Sequence, residues 1–242
     1  MLQNYTLFNQ PLSAIKQPKV LINTLNAHSF NTSLDDKDFE KALQYSLVLL
    51  PDGISVVWAK RMLTGEKLQK IAGADLFFYE MKRLNLIGGK CFFLGSTDEI
   101  LTMIRKRAET EYPNVHIYSF SPPYKKEFSA EENKIMINLI NEVEPDVLFV
   151  GMTAPKQEKW AYQHFIELQV GHVCCIGAVF DFYAGTITRA PEWLIKIGFE
   201  WSYRLVKEPR RMWRRYLIGN AKFIGYLLME LEVKIEKQIS NN

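Results

Sequence analysis

The segment Asp146-Val-Leu-Phe-Val-Gly151 is followed by Pro155-Lys-Gln-Glu158 and then by Val173-Cys-Cys-Ile-Gly177. The first and third pieces are short apolar runs that stop at a glycine, and they predict buried β-strands. A proline followed by an acid, as in the middle piece, is typical of the first turn of a helix. A strand, a helix and a second strand in this order predict a parallel β-α-β unit.

The same alternation of apolar runs and segments of helical period extends over most of the chain. A helix that Asp35 or Asp36 caps is predicted after the first strand. The other predicted strands are 20–26, 47–50, 91–94 and 115–120, and the other predicted helices are 54–62, 74–84, 98–111 and 130–142. The predicted fold class is α/β, with a mainly parallel sheet flanked by helices.

After Thr188 the strand pattern stops, which divides the chain into a core over 1–188 and a helical appendage over 189–242. Six basic residues and a single acid lie between Arg204 and Arg215. Aromatic residues lie among and on either side of them: Trp193, Trp201, Tyr203, Trp213 and Tyr216. This mixture suits phosphate groups presented at a membrane surface. The alternative is a solvated basic helix, which ranks second because the arginines cluster in a chain of net charge +3.

The composition excludes several classes of protein. A net charge of +3 over 242 residues is too small to indicate nucleic acid as a bulk partner. Cys91, Cys174 and Cys175 fit neither a zinc site nor a disulfide framework, so we expect reduced, buried thiols in a cytoplasmic protein. The first residues lack the pattern of a signal peptide, and no apolar run reaches the roughly 20 residues of a spanning helix. Membrane contact is therefore expected to be peripheral.

Polar residues and glycines follow several of the predicted strands. In parallel sheets, ligands bind beyond the carboxyl ends of the strands, so these residues predict a shared cleft. They are Thr24, Asn26, Asp52, Gly53, Gly95, Gly151, Gly177 and Asp181.

Two of these strand ends admit two interpretations each. Pro51-Asp-Gly53 forms either a turn or the site of a general base, Asp52, for a sugar hydroxyl. Thr24 and Asn26 either orient a substrate by hydrogen bonds or cap the next helix.

The residues that follow the strands ending at Gly151 and Gly177 also have two interpretations each. Lys156 and Gln157 lie at a predicted helix N-terminus, which offers free backbone donors to an anion. Proline and acid at this position also explain a plain helix start. Asp181 either contacts a nucleoside or stabilises its loop.

Familiar cofactor and metal motifs are missing. There is no Gly-x-Gly-x-x-Gly, which leaves a nucleotide-sugar dehydrogenase or epimerase without support, and there is neither a Walker loop nor His-Glu-x-x-His. Asp36-Lys-Asp38 fits a metal-binding Asp-x-Asp pattern, but its place at a helix start favours capping. The four histidines are scattered and are predicted to be structural or superficial: His28, His116, His164 and His172. No metal and no cofactor are expected.

An ordered set of motifs resembles the WecG/TagA/CpsF family of bacterial glycosyltransferases over about residues 5–220. The motifs are Thr24-Leu-Asn26, Pro51-Asp-Gly53, Gly73-Ala-Asp75, Phe93-Leu-Gly95, Pro155-Lys-Gln-Glu158, Gly177-Ala-Val-Phe-Asp181, Arg189-Ala-Pro191, Glu200-Trp201, Tyr203-Arg204 and Glu208-Pro-Arg-Arg211. The resemblance implies a Rossmann-like core with a helical appendage. It also implies an inverting, metal-independent transfer from a UDP-sugar, commonly a UDP-N-acetylmannosamine derivative, to a sugar on undecaprenyl diphosphate at the cytoplasmic face of the membrane.

The resemblance also assigns site residues. Asp52 matches the proposed catalytic base, and Thr24 and Gln157 match residues beside it. Arginines that hold the diphosphate match Arg204, Arg211 and Arg214. The remaining strand-end residues are predicted to bind substrate: Asn26, Gly53, Gly95, Lys156, Gly177 and Asp181.

Departures from the family pattern leave the donor and acceptor open. Gln69-Lys-Ile-Ala72 replaces a common Glu-Arg before Gly73, and Ser121-Pro-Pro-Tyr124 replaces a glycine-rich stretch of the teichoic-acid branch. UDP-glucose or another UDP-hexose is the alternative donor. A non-enzymatic module that binds anionic lipid is the alternative function, although it leaves Asp52, Gln157 and Asp181 unexplained. The sequence also leaves open whether the protein is a monomer or a homo-oligomer.

Overall fold

The computed structural model describes residues 2–240, apart from the side chains of Lys196, Arg211 and residues 237–239. Six parallel strands form one sheet in the order β2-β1-β6-β5-β3-β4. The strands are β1 (Val20–Leu25), β2 (Val48–Pro51), β3 (Lys90–Gly95), β4 (His116–Phe120), β5 (Val147–Gly151) and β6 (His172–Cys175). The predicted α/β class and parallel sheet are confirmed, and the architecture is Rossmann-like.

Helices connect and flank these strands. Those of the first 188 residues are α1 (Ala27–Asp35), α2 (Lys37–Tyr45), α3 (Ile54–Thr64), α4 (Gly73–Ile87), α5 (Asp98–Glu111), α6 (Ala130–Val143), α7 (Lys156–His164) and α8 (Ala178–Ala184). Those of the later residues are α9 (Glu192–Lys196), α10 (Glu200–Lys207), α11 (Pro209–Trp213), a π-helical turn (Arg214–Ile218) and α12 (Gly219–Ser240). Two short 3-10 turns (Leu2–Asn4 and Leu12–Ala14) precede β1.

The segment between β1 and β2 differs from the prediction of one helix. Asn26 caps α1 through its side-chain oxygen, which accepts from the backbone N–H groups of His28 and Ser29. Asp36 then caps α2 in the same way, which confirms the prediction that this residue is a helix cap. Two capping side chains ten residues apart therefore produce two consecutive helices.

Apolar side chains cover both faces of the sheet. One face packs against α4, α5 and α8, where the rings of Phe77 and Phe149 lie 5.2 Å apart. The other face packs against α6 and α7, and over β1 and β2 against α1, α2 and α3. The three cysteines are buried free thiols, as predicted.

The helical prediction after residue 188 is confirmed. α12 packs on α1 and α3, with Phe223 only 4% exposed and its ring 5.5 Å from that of Phe30. The backbone N–H of Leu2 donates to the Glu230 carboxylate at 2.6 Å, and the Asn31 side chain donates to the Gly219 carbonyl. α12 therefore shares a hydrophobic core with residues before 188. The division of the chain at 188/189 stays a prediction.

Candidate active site at the carboxyl edge of the sheet

All six strands run in the same direction, so their carboxyl ends meet at one edge of the sheet. The register pairs Thr24 with Leu50 and Leu25 with Pro51, which brings the ends of β1 and β2 level. Gly95 pairs with Gly151 at the ends of β3 and β5. The predicted strand-end residues therefore do lie along a common edge.

Asp52 follows β2 directly and keeps only part of its surface accessible. Its backbone N–H donates to the Leu25 carbonyl at 2.9 Å, which fixes the start of the turn. No hydrogen bond joins its carboxylate to another residue within the described part of the chain. Burial raises the pKa of Asp52 to about 6; the charges of Lys70 and Arg215 oppose the rise, and those of Glu200 and Asp75 add to it. At neutral pH this carboxylate is ionised and able to accept a proton.

Three charged side chains from separate segments meet beside Asp52. The Glu200 carboxylate, at the start of α10, lies 3.3 Å from the Lys70 ammonium and 3.6 Å from Nε of Arg189. All three side chains are between 19% and 26% exposed. These contacts place α10 against the loop that leads into α4.

A further cation, Arg215, approaches Asp52 from the π-helical turn. Arg215 lies close enough to lower the pKa of both Asp52 and His28. Burial, and then the Arg215 charge, lower the pKa of His28 to about 4, so this ring is neutral at physiological pH. His28 lies in the first turn of α1, and nothing in its local sequence distinguishes it from the other histidines.

Asn26 and Gly53 lie side by side between the ends of β1 and β2. The Asn26 side-chain oxygen is used by the α1 cap, so the capping interpretation of this residue is confirmed. Gly53 has a φ of 139°, and a side chain there would approach Asn26 Cβ to 3.4 Å. Thr24 is partly buried in β1, one residue pair before this junction.

The ends of β3, β5 and β6 are joined by close contacts between glycines and their neighbours. A Cβ on Gly95 would lie 2.5 Å from the Gly151 carbonyl oxygen, and a Cβ on Gly151 would lie 2.7 Å from the Phe180 ring. A Cβ on Gly177 would lie 2.7 Å from Oε1 of Gln157. The packing of the chain against itself thus accounts for glycine at all three strand ends.

Gln157 is buried, and the protein itself uses both ends of its amide. Its oxygen accepts from the Met152 backbone N–H at 3.3 Å, and its nitrogen donates to the Glu158 carboxyl at 2.8 Å. Burial raises the pKa of Glu158 to about 7, against the hydrogen bonds from Gln157 and the backbone. The second Glu158 oxygen is buried without a partner among the described residues.

Lys156 is directed toward the loop between β4 and α6. Its ammonium donates to the Lys125 carbonyl and lies 3.6 Å from the centre of the Phe128 ring. The structure therefore shows a loop contact for this residue, which was predicted to bind substrate.

The remaining predicted residues lie on α8 and the appendage. Asp181 is on α8, where its carbonyl accepts from Thr186 and Ile187. The Arg204 guanidinium lies 5.4 Å from the centre of the Phe182 ring, and its Nε is buried without a hydrogen-bond partner in the described chain.

The other two predicted arginines lie further along the appendage. Arg214 is exposed beside the Trp213 ring. The side chain of Arg211 lies outside the described residues; its backbone belongs to α11.

Asp36 and Asp38 have structural partners. Asp36 caps α2 and forms an ion pair with Lys159 at 2.9 Å, while Asp38 pairs with Lys41 at 3.4 Å. Over the residues described, no group of three or more His, Cys, Asp or Glu side chains could hold a metal ion.

Five charged or titratable residues near Asp52 or in contact with its neighbours were not predicted as site residues: Lys70, Asp75 and Glu200 act on Asp52 directly, Arg189 pairs with Glu200, and His28 lies near Arg215. Arg189, Glu200 and Asp75 do belong to motifs of the resembled family, and that was the available signal. Asp75 contributes its charge while its carboxylate accepts from the Ala72 N–H. Arg215 was seen only as one member of the basic cluster.

A parallel sheet with charged side chains gathered at its carboxyl edge is the architecture of α/β enzymes that bind nucleotides. Within that class, the family model described as the glycosyl transferase WecG/TagA/CpsF family matches residues 4–237. The chain belongs to this family and is a glycosyltransferase.

Several relatives share one name, N-acetylglucosaminyldiphosphoundecaprenol N-acetyl-beta-D-mannosaminyltransferase. The protein of that name from Bacillus subtilis (strain 168) is 31% identical over 199 residues, which cover 81% of this chain and 75% of the relative. The one from Bacillus spizizenii is 31% identical over 81% of this chain and 74% of the relative. The one from Staphylococcus aureus (strain MW2) is 27% identical over 221 residues, 90% of this chain and 83% of the relative.

Proposed function

We propose that this glycosyltransferase moves N-acetylmannosamine, or a derivative of it, from a UDP-sugar to a sugar carried on undecaprenyl diphosphate. The names of the relatives support both the transferred sugar and the acceptor. The product would be a lipid-linked intermediate of a cell-surface polysaccharide or teichoic acid. A UDP-hexose such as UDP-glucose is the alternative donor, because the family resemblance alone does not fix the sugar.

The proposal rests on Asp52. A carboxylate with a pKa of about 6 at the carboxyl edge of the sheet is ionised at neutral pH and still basic enough to take a proton. In the proposed mechanism it removes the proton of the acceptor hydroxyl while that oxygen attacks the anomeric carbon. The bond from that carbon to UDP breaks on the opposite face, its electron pair goes to the diphosphate, and the configuration inverts.

Protein cations would stabilise the departing diphosphate in this mechanism. Charge-assisted hydrogen bonds from arginine can take the place of a metal ion in this task. Arg215 already lies near Asp52, and Arg204 lies against α8 with unused hydrogen-bonding capacity at Nε. Asp36 and Asp38 are engaged in a helix cap and ion pairs, which supports a metal-independent reaction.

We assign the other strand-end residues to the binding and orientation of the donor. Thr24 lies one residue pair from the β1–β2 junction, and Gln157 lies beside Gly177 where β5 and β6 end. The Gln157 amide is held at both ends, so it can act as a fixed wall of the donor site. Gly53, Gly95 and Asp181 are the remaining residues that we assign to the donor site.

Membrane contact through the appendage is the last part of the proposal. None of the described helices has the length and apolar character that crossing a membrane requires. Large apolar side chains on and before α12 are nevertheless at least 42% exposed: Trp213, Leu217, Ile218, Ile224 and Leu228. Next to exposed arginines, they suit peripheral docking at the inner face of an anionic membrane.

The substrate assignment is tested by transfer from a panel of UDP-sugars to N-acetylglucosamine that is linked through a diphosphate to a lipid. The assay is run with and without excess EDTA. We expect UDP-N-acetylmannosamine to be the best donor and the rate to survive EDTA. Preference for UDP-glucose would show that the alternative donor is the correct one. Loss of activity that Mg²⁺ or Mn²⁺ restores would reverse the metal-independent mechanism.

The role of the appendage is tested by Arg214→Ala with a water-soluble acceptor analogue. If the appendage serves the reaction as well as the membrane, turnover should fall several-fold even without lipid. Lys234→Ala is the control for the loss of a positive charge, because Lys234 also belongs to the appendage but lies far along α12. Intact turnover of Arg214→Ala combined with weaker liposome binding would make this arginine a membrane contact alone.

A further inference from the structure

The Glu200 carboxylate lies between two cations near Asp52. Its carboxylate is within hydrogen-bond distance of Lys70, at 3.3 Å, and at 3.6 Å from Nε of Arg189 it is an ion-pair partner without a hydrogen bond. The three residues come from three segments: the loop before α4, the loop before α9, and the first turn of α10.

The arrangement leaves hydrogen-bonding capacity unused. Nε of Arg189 is buried and has no hydrogen-bond partner in the part of the chain that the structure describes. A buried donor without a partner is costly, and a guanidinium binds a planar or tetrahedral oxyanion best through two parallel hydrogen bonds. A single carboxylate at 3.6 Å does not provide that geometry.

We propose that Lys70 and Arg189 form a binding site for a phosphate group of a diphosphate substrate, and that the Glu200 carboxylate holds this site in the unliganded protein. The ligand would displace the carboxylate, and its oxygens would take both cations. Glu200 is then a positioning residue that holds the two cations in place until the ligand replaces its carboxylate. This inference rests on the proposed function, because a diphosphate is the anion that both proposed substrates carry.

The position of this site relative to Asp52 agrees with that role. Glu200 and Lys70 both lie close enough to affect the pKa of Asp52, together with Asp75 and Arg215. A diphosphate held by Lys70 and Arg189 would therefore lie next to the proposed base. Electrostatic stabilisation is most effective where the charge of the leaving group develops.

The test is the binding of inorganic pyrophosphate, measured by calorimetry at low ionic strength, where screening is weak. Glu200→Gln removes the competing charge and keeps an oxygen that can accept from Lys70. We expect it to bind pyrophosphate about threefold to tenfold more tightly than the wild type. The Lys70→Ala variant should bind pyrophosphate more weakly than the wild type. In the double variant Lys70→Ala/Glu200→Gln, the gain in affinity from Glu200→Gln should be lost.

Glu109→Gln, exposed on α5, is the matched control, because it changes the net charge equally and should leave affinity unchanged. Unchanged or weaker binding by a Glu200→Gln variant with a wild-type melting temperature would overturn the proposal. If that variant is unstable, unchanged binding by Lys70→Ala overturns it instead.

Repeating the titration with UDP and with farnesyl diphosphate tells the two sources of the diphosphate apart. A gain with UDP assigns the site to the donor, and a gain with farnesyl diphosphate assigns it to the lipid carrier; the absence of a gain with both contradicts the proposal. No sugar transfer is needed for these measurements. Failure of every UDP-sugar assay would therefore refute the proposed function and leave the anion site standing.

Discussion

The two halves of the carboxyl edge are built on different principles. At the ends of β1 and β2, charged side chains from distant segments gather around Asp52 with incomplete hydrogen bonding. At the ends of β3, β5 and β6, glycines are packed against backbone or rings, and Gln157 is hydrogen-bonded at both ends. The first half is organised by charge and can rearrange around a ligand, whereas the second is organised by shape and tolerates little change.

The largest effect is expected in the charged half. Asp52→Asn keeps the size of the side chain and removes the base, so the turnover number should fall by about 10²–10⁴-fold with the fold intact. In the wild type, the rate should decline as the pH falls through about 6, because Asp52 becomes protonated there. Steady-state kinetics between pH 5 and 9 measure both effects.

Asp98→Asn is the control for this variant, because Asp98 is an exposed carboxylate at the start of α5, near the end of β3. Its turnover should equal that of the wild type. If the Asp52→Asn variant also has a near-wild-type turnover number, Asp52 is not the base. The charged half of the edge would then not be the half that carries the chemistry.

The next effect concerns the packed half. Gly95→Ala introduces a methyl group 2.5 Å from the Gly151 carbonyl oxygen at a φ of 112°, so both steric overlap and backbone strain oppose folding. We expect the free energy of unfolding to fall by about 2–4 kcal/mol, measured by urea denaturation.

Gly65→Ala separates these two causes. Gly65 also has a positive φ, of 80°, but an added Cβ there meets nothing within 4 Å. It should therefore cost only the backbone strain, about 1 kcal/mol. Equal losses in the two variants would show that close packing does not set the geometry of this half.

The last prediction is a pH-dependent gain of stability, somewhat smaller than the loss expected for Gly95→Ala. The folded state raises the pKa of Glu158 from 4.5 to about 7, so between these values the folded chain keeps a proton that the unfolded chain releases. Wild-type stability therefore decreases as the pH rises from about 4.5 through 7. Glu158→Gln removes this penalty and should stabilise the protein by about 2–3 kcal/mol at pH 8.5, with little effect at pH 4.

Urea denaturation of both proteins at the two pH values measures the difference. An effect of equal size at pH 4 and pH 8.5 would mean that packing, and not the ionisation of Glu158, separates the variant from the wild type.

The strands were predictable from sequence because each is a short apolar run that stops at a turn residue. The predicted 91–94 corresponds to β3, and the predicted helix 98–111 has the bounds of α5. α1 was missed because it lies directly before α2, and the single helix predicted in this segment was given Asp35 or Asp36 as its cap. A cap at Asn26 was already one of two interpretations, and nothing local distinguishes a capping asparagine from one that binds substrate.

The charged half was only partly predictable. Asp52 was identified because its place after an apolar strand is a local property. The contact of Lys70 with Glu200 joins residues 130 positions apart, and neither periodicity nor composition reports which opposite charges meet at that range. The structure supplies the missing information, namely where α10 lies against the loop before α4.

The hydrogen bond from Leu2 to Glu230 joins residues 228 positions apart. At a translation rate of about 5–20 residues per second, the first of these residues waits roughly 10 to 50 s for the second. During that interval Tyr5 and Phe30 lack the cover that Phe223 provides in the finished molecule. The part of the hydrophobic core beneath α1 and α3 therefore closes only after most of the chain has been made.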